Sequence, residues 1–201
     1  MNLSAPTLDV SPSVRGALLQ TLARLEQPVS RRQLAALSNV APGNASGVIE
    51  ALVRSGIVSE MIAGRSSMIA LNRQHLAAGP VVALAGLRGE LIRRLRDQLA
   101  EWPDLTGAWL FGSVARGDAG RDSDIDLLVV AHDLDANDLA DRLARLGSDV
   151  RQWTGNDLQV VEHDPRSWQM LVEAGNALVD QLRRDGISLT ADTRSLLDRR
   201  R

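Results

Sequence analysis

The chain has 201 residues, 44% apolar and 24% charged, with a net charge of −2; it contains no cysteine, and all 23 of its basic residues are arginine. That size supports one large or two small packed domains. The composition excludes a disulfide framework, a thiolate metal site, a cysteine nucleophile, a Schiff-base lysine and a P-loop lysine.

Along the chain, residues 1–10 carry no periodic pattern and are expected to be a loose end. Ser11-Pro12 opens a helix through Gln27 that aligns Val14, Leu18, Leu22 and Leu25, a helical spacing. Ser30 caps a short helix over 31–37. A third begins at Pro42 or Asn44, carries Val48, Ile49, Leu52 and Val53, and ends at Gly56. Ile57–Ile62 and Ser67–Leu71 flank a Gly64-Arg65-Ser66 turn as a hairpin. A long helix is predicted over about 81–101, with Leu84, Leu87, Leu91, Leu95 and Leu99 on one face; that face offers a seam to the chain's own core, to a second domain or to a dimer partner. Strands follow at 108–111, 125–131 and 158–162, separated by a short helical turn at 114–116 and an amphipathic helix at 137–146, and residues 165–184 read as a helix. Strands alternating with helices indicate an α/β arrangement.

The order helix, helix, turn, helix, hairpin in the first 70 or so residues resembles the winged-helix transcription regulators. The resemblance implies DNA contacts from Arg31 and Arg32 at the second helix, Asn44, Ser46 and Arg54 on the third, and Arg65 at the tip of the wing. Residues 1–79 hold seven arginines against four acids, and residues 80–201 sixteen against twenty-one. The first segment is thus the more basic, although Glu50 opposes Arg54 on the third helix. A protein-contact role for this segment stays open beside DNA binding.

The chemistry concentrates in Gly112-Ser113-Val114-Ala115-Arg116-Gly117-Asp118 and Ser123-Asp124-Ile125-Asp126-Leu127-Leu128-Val129-Val130. Gly112-Ser113 follows an apolar strand and opens a helical turn, where free N–H groups and a hydroxyl suit phosphate. Asp124 and Asp126 are two apart on a strand and face one side. Adjacent carboxylates repel unless a cation lies between them, so they are candidate metal ligands. A calcium loop starting at Asp122 is excluded because Leu127 stands where that loop needs glycine. With His75, His132 and His163 scattered, the metal expected is one that prefers oxygen, Mg²⁺ or Mn²⁺. His132 and His163 are read as structural, and Trp109 and Trp153 as packing residues.

Together, Gly-Ser, Arg-Gly and Ser-Asp-x-Asp-Leu-Leu-Val over residues 105–185 resemble the DNA polymerase beta-type nucleotidyltransferase superfamily, in its minimal branch. The fold implied is a small mixed sheet flanked by helices. In this resemblance Gly112 and Ser113 hold the β and γ phosphates of a nucleoside triphosphate, and Asp124 and Asp126 bind two Mg²⁺ ions. A hydroxyl attacks the α-phosphorus and pyrophosphate leaves. Arg116 lies near the phosphates or supports their loop; a surface pairing with Asp118 or Asp122 is the alternative. The superfamily places a third acid on a later strand, and the matching position here is Gln159, a weaker ligand and a poor base. Asp157, of the same parity, is the stand-in preferred over Glu162.

The expected architecture is mixed α+β: a winged helix-turn-helix domain at 1–79, a linking helix at 80–103 and a nucleotidyltransferase domain at 104–201. The expected activity is Mg-dependent transfer of a nucleoside monophosphate to a hydroxyl on a protein, a tRNA or a small molecule. Relatives of this kind often belong to toxin–antitoxin pairs. The alternative is a DNA-binding regulator whose degenerate transferase domain senses nucleotide. Without a signal-like start or an apolar run of about 18 residues, a soluble cytoplasmic protein with no membrane partner is expected.

Overall fold

The computed structural model describes residues 1–63, 66–132, 137–191 and 193–198. Contacts divide the chain into Ala5–Leu87 and a second unit of Met1–Ser4 with Arg88–Arg201.

In the first unit, α1 (Thr7–Val10), α2 (Val14–Arg24), β1 (Val29–Ser30), α3 (Arg31–Leu37) and α4 (Pro42–Arg54) precede a hairpin, β2 (Val58–Ala63) and β3 (Ser66–Leu71), and α5 (Ala78–Ala85). α2 begins at Val14 rather than at Ser11-Pro12, and Ser13 caps it by accepting the Gly16 N–H. Ser30 and Gln33 form a reciprocal capping box on α3, satisfying two backbone donors at once. The strands form an antiparallel sheet in the order β1-β3-β2. Leu18, Leu22, Leu34, Ile49, Leu52 and Ile69 make the core. The helix–helix–helix–hairpin order expected from the sequence is present, and the short β1, which periodicity is too brief to reveal, completes the sheet.

The second unit contains α6 (Leu87–Ala100), β4 (Leu105–Phe111), α7 (Gly112–Arg116), β5 (Ile125–Ala131), α8 (Asn137–Thr154), β6 (Leu158–His163), α9 (Pro165–Ala174), α10 (Ala177–Asp185), β7 (Ile187–Ser188) and a 3₁₀ turn at Thr193–Leu197. Its sheet runs β6-β5-β4-β7. β5 pairs with β6 in parallel, whereas β4 is antiparallel to both β5 and β7. Helical side chains cover both faces. Leu91, Leu95, Leu99, Leu146 and Val150 pack with Leu110, Ile125 and Leu127; Trp168, Val172, Val179 and Leu182 pack with Trp109, Leu128 and Val130. The continuous apolar run of β5 follows from this two-sided burial. The result is the mixed α+β architecture expected, a small mixed sheet with helices on both faces.

Three local expectations change. The start of the chain is not loose: Leu3 is fully buried in the core of the second unit, and Thr7 bonds Gln20 of α2. Two long-range anchors replace the missing periodicity. The stretch around 81–101 is not one helix; α5 closes at Gly86, whose N–H bonds the Val82 and Ala83 carbonyls, and α6 begins afresh at Leu87. Residues 165–184 likewise break, because Gly175 caps α9 in the left-handed region (φ 66°) and the Asn176 side chain caps α10.

Candidate nucleotidyl-transfer site

β4 ends at Phe111, which lies opposite Asp126 of β5 in the antiparallel register. The chain then turns at Gly112 with φ +68°, and a Cβ placed there would lie 1.9 Å from Asp126 Oδ2. Only glycine allows both the left-handed backbone and this approach of backbone to carboxylate. Gly112-Ser113 is therefore held directly against the second aspartate. Phe111 contributes no side-chain cap to α7, so side-chain capping does not occupy the N–H groups of its first turn.

α7 is closed from behind. Gly117 N–H and Asp118 N–H both donate to the Ser113 carbonyl, with Gly117 left-handed at φ +82°. Arg88 at the start of α6 donates from Nε to the Val114 carbonyl (2.6 Å) and from a terminal nitrogen to the Ala115 carbonyl (2.5 Å). A guanidinium on the last carbonyls of a helix satisfies orphan acceptors and opposes the negative end of its dipole. Arg88 has no signature in the sequence, because only folding brings α6 to α7, 26 residues further along the chain.

Asp124 immediately precedes β5 and is exposed, and Asp126, on β5, is half-buried. Burial pushes the Asp126 carboxyl above the ordinary carboxylate range; the neighbouring Asp124 charge adds to this, and Arg116 opposes it. The two aspartates and Arg116 are therefore electrostatically in touch. The Arg116 guanidinium itself meets Asp118 (3.1 Å), the surface pairing left open above. Buried Asn156 fixes the loop before Asp124 by donating to the carbonyls of Arg121 (3.0 Å) and Ser123 (2.8 Å). Ser123 Oγ accepts the Gly120 N–H (2.8 Å). Asn156 is a second positioning residue without a sequence signature.

Across the parallel pair, Asp126 is in register with Gln159. Asp157 precedes β6; its carbonyl accepts the Ile125 N–H, and its carboxylate is ion-paired with Arg151 of α8. Glu162 is in register with Val129, three residues along from Asp126. Among the described residues, no group of three or more His, Asp or Glu is gathered for a metal ion. Two carboxylates whose charge Arg116 offsets only in part fit one divalent cation with an oxygen preference.

Residues 92–165 match the family model of a nucleotidyltransferase domain. The segment contains Gly112, Ser113, Arg116, Asp124, Asp126, Asp157 and Gln159. Among solved structures, a toxin–antitoxin complex with AMP-PNP is similar at 28% identity and a TM-score of 0.36, over 54% of this chain and 77% of that one. An MntA–HpeT toxin–antitoxin mutant is similar at 26% and 0.36, over 55% and 79%. A MarR-family transcriptional regulator from Rhodococcus sp. RHA1 follows at 19% and 0.31, over 48% and 79%. No curated protein matches the chain.

The remaining candidates separate. Trp109 is buried against Trp168, His163 lies 5.8 Å from the Trp168 ring, and Trp153 is covered by the Arg94 guanidinium at 5.2 Å. In the first unit, Arg31 of α3 is engaged by Glu60 through Nε (2.8 Å) and a terminal nitrogen (3.0 Å), with Glu50 at 3.6 Å. Arg32, Asn44, Ser46 and Arg54 are exposed. Arg65 lies outside the described residues. Among those residues, no helix is long and apolar enough to cross a membrane.

Proposed function

We propose that residues 88–201 transfer a nucleoside monophosphate from a nucleoside triphosphate to a hydroxyl group, with Mg²⁺ or Mn²⁺ held by Asp124 and Asp126. The supporting observation is the close approach of the Gly112 turn to Asp126, which sets a glycine bend beside a carboxylate pair. The backbone and hydroxyl of Gly112-Ser113 bind the β and γ phosphates, and Arg116 supplies positive charge beside them. When bound, the cation neutralises the triphosphate and polarises its phosphoryl oxygens. The acceptor oxygen forms a bond to the α-phosphorus, the bond to the β-phosphate bridging oxygen breaks, and pyrophosphate departs with that electron pair. The hydroxyl proton passes to solvent. Arg88 and Asn156 hold the turn and the aspartate loop in place, so little reorganisation accompanies reaction.

The acceptor class proposed is a protein or tRNA hydroxyl; a small molecule is the alternative. We read residues 5–87 as a winged helix in which Arg32, Asn44, Ser46 and Arg54 are the exposed polar contacts and Arg31 is not available to phosphate. The test is incubation with each labelled triphosphate, Mg²⁺ or Mn²⁺ and cell extract. Label should move to protein or RNA, and Asp124→Ala with Asp126→Ala should reduce this at least about a hundredfold. Nucleotide binding with no transfer to any acceptor would favour the regulator reading, and a gel shift at stated salt tests the winged unit on DNA.

A further inference from the structure

We infer that this centre retains one divalent cation per bound nucleotide, and that Gln159 is the residue that denies a place to a second. The inference rests on the transfer reading above and sharpens it.

Asp126 is flanked in the sheet by Phe111 on β4 and Gln159 on β6. Register partners on neighbouring strands project to the same face, so the Gln159 amide stands on the side of the carboxylate pair, and Gln159 is exposed there. Three of the other acids near this edge are engaged or out of register. Asp157 shares the parity of Gln159 but is ion-paired with Arg151. Asp118 is engaged by Arg116, and Glu162 lies in register with Val129. Among the described residues, no third acid or histidine joins Asp124 and Asp126 in a metal-sized group.

Mg²⁺ and Mn²⁺ take about six oxygen ligands. Two carboxylates, phosphate oxygens and water satisfy one such ion. A second ion about 3.5–4 Å away repels the first and needs further negative charge. Gln159 offers a neutral carbonyl oxygen and no charge. A carboxylate at the same register position would supply both.

The test counts cations rather than product. The full-length protein is equilibrated with Mn²⁺ and, in turn, the α,β-methylene analogues of ATP, GTP, CTP and UTP. Protein-bound Mn²⁺ and nucleotide are then measured by ultrafiltration and by the loss of the free-ion paramagnetic resonance signal. Wild type should retain about one Mn²⁺ per nucleotide; Gln159→Asp, with Gln159→Glu as a second variant, should retain about two. Circular dichroism and the thermal midpoint confirm that each variant is folded. Two ions per nucleotide in wild type, or one in both folded variants, overturns the inference while the transfer reading stands. Failure of every analogue to bind to wild type sinks both.

Discussion

Arg31 in the first unit and Asp126 in the second are both charged side chains beside like or unlike neighbours, and the chain treats them in opposite ways. Arg31 is answered from within: Glu60 takes it in a two-pronged contact, Glu50 stands at 3.6 Å, and Glu60 is bonded in turn by the Ser67 hydroxyl. Asp126 is half-buried beside a second aspartate, and its carboxyl is raised by that burial and that neighbour. A charge compensated by its own fold is stabilising there and unavailable to a ligand. A charge left uncompensated costs stability, and the cost is recovered only when something outside the chain binds.

Four substitutions test this contrast. The largest effect is expected for Gly112→Ala, which places a methyl on Asp126 Oδ2 in a left-handed backbone. It should destabilise the second unit by about 2–4 kcal/mol in urea unfolding and abolish transfer. An unchanged midpoint would mean that the turn is not pinned to the aspartate. Next comes Arg88→Met, which strands the Val114 and Ala115 carbonyls. A loss of about 1–3 kcal/mol should accompany roughly tenfold weaker triphosphate binding, with Arg88→Lys restoring part of each. Equal nucleotide affinity in Arg88→Met and wild type would remove Arg88 from the site.

A smaller effect, and of opposite sign, is expected for Asp126→Asn. Because the folded chain raises this carboxyl, ionising it costs stability as pH rises from the ordinary carboxylate range through the raised value. At neutral pH without divalent cation, the variant should melt a few degrees or less above wild type, and added Mn²⁺ should narrow the gap by stabilising wild type alone. The smallest effect is that of Arg31→Ala. Arg31 and then Ser67 hold the Glu60 carboxyl below its ordinary range, so their contribution is present at neutral pH and lost as pH falls through the lowered value. The variant should lower the midpoint slightly at pH 7 and not at pH 2–3. Any DNA retention in a gel shift should be unaffected, and a marked loss would return Arg31 to the interface.

Much of this was legible in the residues themselves. Gly112-Ser113 and Asp-x-Asp are local: a glycine bend and the two-residue period of a strand are properties of a few consecutive side chains, and β5 spans the residues expected. The apolar stripes of α2, α4 and α8 are equally local, since helical spacing writes burial into the sequence. The breaks at Gly86 and Gly175 were hidden because the apolar period continues across them. The burial of Leu3 was hidden because its partners lie in distant sequence.

The amino-acid order alone thus determined the kind of chemistry open to this protein: no thiolate, no lysine, and two carboxylates beside a glycine bend. Tertiary structure decided which groups are free to perform it. Only folding brings Arg88 behind α7, Asn156 under the aspartate loop, Arg151 onto Asp157 and Gln159 beside Asp126. The reason is physical: residue type and short-range period set what a side chain can do, whereas its partners across sheets and helices are chosen by packing of the whole chain.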